Sequence, residues 1–316
     1  MIARLPAFVG VNLPWHVYGC DFGGNAWYPQ GGVGRPGARP PLDDLFERLS
    51  AAGLLVVRWF LFCDGRAGIR FDADGTPLGV DPFCFRDIDA ALAIADTYRV
   101  TLLFALFDFP WFRPRRVVNG VDLFGRRAVV SDAARRHALL DRVVAPLFAR
   151  YGREPVIHGW DLVNEPEWAT FGYGERLPWR AVAARTMRAW LREMTSLAHG
   201  EARQPVTVGL ASRRGLPLVA DCGLDLYQVH WYDRLEGSSP LSRPPVAELD
   251  RPLLLGEFPT ANSSLSPAEV VAAAHEAGYS GALAWSARAL DEFSDLAALE
   301  EALGLQPPDG DTRSQG

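Results

Sequence analysis

The 316-residue sequence contains no lysine, and all 32 of its basic residues are arginine. They are scattered, occurring at most in short pairs such as Arg126-Arg127, Arg135-Arg136 and Arg213-Arg214. A nucleic-acid surface needs basic residues gathered into a stripe, so this dispersal, at a net charge of −6, argues against that partner. Long apolar runs are missing as well. No stretch approaches the roughly 20 residues that a bilayer span requires, and no charged start, apolar core and small-residue cleavage site opens the chain. The sequence therefore reads as soluble and without a membrane partner, cytoplasmic as it stands or secreted if a signal has been removed. Cysteine is sparse: Cys20, Cys63, Cys84 and Cys222 form no CxxC pair, which argues against a zinc cluster or disulfide framework. Free thiols are expected, with one bridge among Cys20, Cys63 and Cys84 as the alternative. The 6 histidines include no HxH or HExxH, and His137, His199 and His275 fall in helical segments. Neither a metal nor another cofactor is expected. No GxGxxG directly follows the first strand and there is no phosphate loop, which weighs against a nucleotide-binding doubly wound sheet.

What is present is an ordinary globular composition, 48% hydrophobic and 22% charged. Eight apolar runs read as strands: Phe8 to Asn12, Leu54 to Phe60, Val100 to Phe107, Val156 to Val163, Pro205 to Leu210, Asp225 to His230, Leu253 to Glu257 and Gly281 to Trp285. Most are continuous rather than alternating, as parallel strands buried on both faces should be. Helical spacing separates most of them: Leu42 to Ala52, Arg86 to Tyr98, Ser131 to Tyr151 with Ser131 as cap, Arg180 to His199, Leu216 to Cys222, and Ser266 to Gly278. A last helix is read over Asp295 to Leu303. Leu13 to Pro41, Leu61 to Phe85 and Phe109 to Val130 read as long loops, and Pro244-Pro245 opens at most a short helix. Eight strand–helix units in about 300 residues match a (β/α)8 TIM barrel. A single catalytic domain over 1–305 and a flexible tail over 306–316 are expected.

In such a barrel the C-terminal strand ends share one rim, where active sites sit. The fourth strand ends in Asn164-Glu165-Pro166 and the seventh in Gly256-Glu257-Phe258-Pro259. Proline removes a backbone donor and pushes the residue before it towards an extended conformation, so Glu165 should be an extended, fixed carboxylate at a strand end. Glu165 and Glu257 should then face each other across the mouth, accompanied by Asn12, Arg58, Asp108, Asn164, His230, Tyr232 and Trp285. Eight of the 10 tryptophans (15, 27, 59, 111, 168, 179, 231 and 285) lie at strand ends or in the loops after them. Two carboxyls in an aromatic cleft suggest glycoside hydrolysis, because the pair can flank an oxocarbenium-like transition state while rings stack on sugar faces. Glu167 reads as a decoy facing loop or solvent, and Asp161 as a buried barrel residue. His230 and Asp108 admit a core reading as well as a site reading.

With those residues in place, the chain resembles the retaining β-glycosidases of glycoside hydrolase clan A, most closely family 5, the cellulase and β-mannanase family. Arg58, the His230-Trp231-Tyr232 run and Trp285 extend the resemblance to strands two, six and eight. The resemblance implies a carbohydrate substrate, β-mannoside or β-glucoside, with Glu165 as general acid/base and Glu257 as nucleophile. Arg58 and Tyr232 would orient Glu257, Asn164 would contact the sugar 2-hydroxyl, and His230 would bridge the acid/base region or the sugar. Trp285 would floor the reacting sugar, with Trp15, Trp111 and Trp168 as further sugar contacts. Many relatives carry a histidine after strand three; here the run is Leu106-Phe107-Asp108-Phe109, so Asp108 would take its place at a sugar hydroxyl. A catalytically silent sugar-binding barrel and a transglycosylase remain the alternatives.

Overall fold

A computed structural model describes residues 8–236, 241, 246–288 and 291–304. The tail expected over 306–316, the Pro244-Pro245 segment and the first seven residues lie outside these. The eight apolar runs form β1 (Val9–Leu13), β2 (Val56–Phe60), β3 (Thr101–Asp108), β4 (Ile157–Asn164), β5 (Val206–Leu210), β6 (Tyr227–His230), β7 (Leu253–Pro259) and β8 (Ala282–Trp285). Each pairs in parallel with its sequence neighbours, and β8 closes on β1 through Val9↔Ala282, Gly10↔Leu283 and Val11↔Ala284. The fold is thus the expected (β/α)8 barrel.

Two cores hold it. The larger lies between strands and helices and includes Trp160, Phe104, Phe148, Leu191 and Val143, all buried. The smaller lines the barrel axis: Val56, Leu103, Leu254 and Leu283, with Phe8 and Leu226 packed against them. Farther along the same strands the axial side chains turn polar, at Asn12, Arg58, Asp161, Gln228 and Glu257, all buried. The change follows from the period of two, since residues two apart point to the same face. A bulky bottom layer therefore supports a charged top layer. Gly209 makes room for that layer: a Cβ there would lie 2.8 Å from Arg58 Nη2 and 2.9 Å from Asp161 Oδ2.

The helices depart from the sequence reading at their edges. The segment expected to run unbroken from Ser131 is Ala133–Leu139, a π-helical turn over Leu140–Val144, and Ala145–Tyr151. Its cap is Asp132, whose carboxylate accepts from Arg135 N, whereas Ser131 closes the preceding short helix Arg127–Ser131. The helix expected from Arg180 starts at Ala184. Cys84 opens the helix Cys84–Thr97 instead of lying in a loop, and all four cysteines are free and buried. Two long loops carry antiparallel hairpins, Ile69–Phe71 with Pro77–Val80 and Arg116–Val118 with Val121–Leu123. Among the described residues no helix is long and apolar enough to cross a membrane.

Candidate active site

Arg58 organises the charged layer. From the middle of β2 its Nε and Nη2 donate to Asp161 Oδ2 (2.9 and 2.7 Å), and Nη2 also donates to Asn164 Oδ1 (2.7 Å). Its Nη1 donates to Glu257 Oε1 (2.7 Å) and Asn12 Oδ1 (2.9 Å). Asp161, expected only as a buried hydrogen-bonded residue, also accepts from Gln228 Nε2 and Gly209 N. A planar five-donor fork is suited to spanning such a network, and four strands are fixed to one cation by it. Asn164 spends its amide internally, donating to Asp108 Oδ1 at 2.9 Å, which leaves one N–H of that group for a sugar.

Glu257 has its second oxygen held by Tyr232 Oη at 2.9 Å. Burial pushes its carboxyl upward, while His230 and Arg58 pull it back. Glu165 sits across the mouth under different control. Its main burden is again burial, which raises it from an ordinary value near 4.5 to about 7, with Trp168 and Arg58 opposing. It accepts from Trp168 Nε1 (2.9 Å) and meets His230 Nδ1 at 2.9 Å. His230 is pushed down to about 4, chiefly by burial, and is neutral near pH 7. Its Nδ1 stands 3.5 Å from Glu257 as well as close to Glu165. Oxygens of the two carboxyls and this nitrogen lie within 4.8 Å of one another. The cluster has the composition of a cation site, yet the guanidinium bonded to Glu257 opposes a second cation there. The arrangement suits proton exchange: Glu165, without a direct cationic partner, is the better proton holder, and Glu257, bonded to Arg58 and Tyr232, the better anion.

Three expectations need correction. Glu165 is not extended; it has φ 48° and ψ 51°, in the left-handed region. The chain turns at once into the 3-10 helix Pro166–Ala169, and Glu165 N is tied to Gly209 O at 2.6 Å, so tertiary pairing overrides the local preference. Glu167 does not face solvent. It is buried, neither carboxyl oxygen has a hydrogen-bond partner among the described residues, and burial raises it to about 8. It lies over Gly215, where a Cβ would come within 2.0 Å of Oε1. Trp111 is not available to a sugar; it is fully buried against Phe107 with its N–H on Phe62 O. Trp59, although near a strand end, is likewise core.

The other expected site residues gather at the same rim. Trp285 is partly exposed at the end of β8, edge-to-face with Trp15, which in turn meets Tyr18. Trp168 is 38% exposed beside Glu165. Asp108 lies at the end of β3, its carboxyl raised well above the usual range by burial and accepting from Asn164 Nδ2 and Phe109 N. The long first loop is ordered by a residue the sequence did not mark: Asp21 accepts from His16 N, Val17 N and Trp59 Nε1.

No family model matches the chain. It is 24% identical to a mannan endo-1,4-β-mannosidase of Mytilus edulis, over 88% of this chain and 82% of that one. It is 23% identical to a mannan endo-1,4-β-mannosidase of Cryptopygus antarcticus, over 97% and 87%. Among solved structures, the endo-1,4-β-mannanase of Eisenia fetida superposes with a TM-score of 0.76 at 22% identity, over 94% of this chain and 89% of that one. These likenesses support a clan A β-glycosidase of the family 5 type. The β-mannanase of Mytilus edulis gives the same TM-score at 20% identity, over 94% and 90%. At such identities the solved structures speak for the shared barrel, and the site rests on this chain's own geometry.

Proposed function

We propose that this glycosidase hydrolyses β-1,4-linked mannan with retention of configuration. The observation that carries the proposal is the pair of carboxyls converging on His230 Nδ1, with oxygens within 4.8 Å. Retaining enzymes separate their carboxyls by about 5–5.5 Å, whereas inverting ones need about 6.5–9.5 Å to admit a water. The mannan part is supported by the names of the curated relatives.

In the first step a Glu257 oxygen attacks the anomeric carbon. The bond to the leaving oxygen breaks, and the proton held by Glu165 passes to that oxygen. In the second step the Glu165 carboxylate takes a proton from water, whose oxygen attacks the anomeric carbon and displaces Glu257. Glu165 thus ends protonated, as it began. Arg58 and Tyr232 hold Glu257 in line through the 2.7 and 2.9 Å bonds. Neutral His230 orients Glu165 without supplying a competing charge. Trp285 offers a face to the reacting sugar, and Asp108 can bind one of its hydroxyls.

A 2-deoxy-2-fluoro mannoside with a good leaving group tests the reading. The expected result is a covalent adduct on Glu257, found by peptide mass, together with turnover of β-mannan. An adduct elsewhere, or undiminished turnover in Glu257→Ala, would refute the assignment. Turnover confined to β-glucan would refute the substrate and leave the mechanism standing.

A further inference from the structure

Between the two loop hairpins lies a cavity of about 400 Å³, apart from the catalytic pair. It sits on the catalytic rim, because the hairpins belong to the loops after β2 and β3. Its size falls within the range of small-molecule sites. Arginines 66, 115 and 126 line it, with Phe71 and Asp72 among the others.

The charges in its wall are not equally matched. Arg66 is paired with Asp64 at 2.6 Å, and Arg115 with Asp122 at 2.7 Å. Asp72 is spent on the backbone N–H groups of Asp74 and Thr76. Arg126 differs. It is 7% exposed, its Nε is buried without a hydrogen-bond partner, and its side chain makes no hydrogen bond or ion pair among the described residues. Its guanidinium carbon lies 3.8 Å from the centre of the Phe71 ring, a contact that uses none of its N–H groups in a hydrogen bond to an oxygen. Burial lowers its pKa and Arg115 adds to the shift, against the opposing pull of Asp122 and Asp64, neither of which is bonded to it. A buried charge is costly unless paired and hydrogen-bonded, and an arginine fork matches a carboxylate through two parallel bonds.

We propose that this cavity binds a sugar unit bearing a carboxylate, a uronosyl residue, with the carboxylate on Arg126. The sugar ring is the part that a cavity of this volume adds to a bare anion. The turn tips at Gly75 and Gly120 border the cavity, and nothing lies within 4 Å of a Cβ built on either, which leaves room for hydroxyls. The carboxylate can come from an acidic unit on the polymer being cleaved or from a free sugar acid. The placement on the catalytic rim rests on the glycosidase reading; the binding does not.

Titration calorimetry of the full chain with glucuronate, glucose and acetate tests the site without using turnover. Glucuronate is expected to bind at least about tenfold more tightly than glucose or acetate, as a charge-assisted pair implies. Arg126→Gln should abolish that preference and Arg126→Lys should keep part of it. Should Arg126→Gln fail to fold, Ala73→Trp on the exposed turn tip fills the cavity without touching Arg126 and should also abolish binding. Equal binding of glucuronate and glucose, acetate as tight as glucuronate, or unchanged binding in the folded variants would overturn the proposal and leave Arg126 as a strut on Phe71. A second arm compares kcat/KM on neutral mannan and on mannan carrying uronosyl units. A wild-type preference for the acidic polymer that is lost in Arg126→Gln assigns the carboxylate to the cleaved chain; equal rates alongside Arg126-dependent glucuronate binding assign it to a free acid.

Discussion

At the scale of single residues, the proton on Glu165 sets the pH behaviour of catalysis. Its carboxyl titrates near 7 because it is buried away from any directly bonded cation, and the Trp168 N–H pulls the value down. The general acid is therefore lost as pH rises past about 7, and kcat/KM should fall there with unit slope. Trp168→Phe removes the bond that favours the ionised form, so the alkaline limb should move to higher pH even as sugar contact weakens. A limb that stays in place would mean that the bond does not act on Glu165. Glu165→Ala should lose about 10²–10⁴-fold on substrates that need a protonated leaving group. Added azide should restore part of the rate when the leaving group is good, and absence of rescue with every substrate would argue against the acid/base role. The identity of these carboxyls was legible because Asn-Glu-Pro and Gly-Glu-Phe-Pro end apolar runs. The conformation of Glu165 was not, because its 2.6 Å bond to Gly209 comes from a neighbouring strand. Glu167 escaped for the same reason: its burial comes from the turn at Gly215, 48 residues on, which no local pattern announces.

At the scale of elements, the strands were readable and the loops were not. A barrel strand is apolar on both faces, so β3 and β7 show as unbroken runs. The loop hairpins have three or four residues per strand, too few for alternation to register, so in sequence they read as plain loop. The order of those loops is owed to buried aspartates. Asp87 accepts from the N–H groups of Gly23, Gly32 and Gly34, and Asp81 from those of Gly24, Gly68, Phe83 and Cys84. Such carboxylates replace the ladder that a loop lacks, and nothing in their local sequence distinguishes them from surface aspartates. Tryptophan count misled similarly, since Trp111 sits in a loop yet is core. The cap before Ala133 gives a direct comparison. Ser131 and Asp132 are adjacent candidates, but only Asp132 accepts from the helix N–H at Arg135. Asp132→Ala should cost about 1 kcal/mol in urea unfolding, and Ser131→Ala, whose hydroxyl donates to Arg127 O, should cost less. The reverse order would restore the sequence reading.

At the scale of the molecule, the site leaves its mark on stability. Asp21, Glu165 and Glu167 are raised to about 6, 7 and 8, each mainly by burial, and Asp108 and Glu257 shift the same way. For an acid whose folded value is raised, the unfolded chain releases its proton first. Stability is then fully present below the unfolded value near 4–4.5 and is lost as pH climbs to the folded value. His16 and His230 act oppositely. Burial lowers both to about 4, so the unfolded chain gains protons first and stability is lost as pH falls from about 6.5 to 4. Between roughly pH 4.5 and 6.5 the two sets oppose each other. Above 6.5 only the carboxyls still titrate, and the urea midpoint should drop from pH 6.5 to 8. Glu167→Gln isolates the carboxyl raised to about 8, because the amide mimics the protonated acid and cannot ionise. Each pKa unit is worth about 1.4 kcal/mol, so the variant should gain on the wild type, on the order of a few kcal/mol, as pH rises from 5 to 8. Its catalytic limb should stay close to pH 7, because Glu165 retains its own burial and the Trp168 bond. A variant whose stability curve stays parallel to the wild type would mean that Glu167 finds an ionised partner in solution, and the downward slope above pH 6.5 would then have to come from the catalytic carboxyls alone.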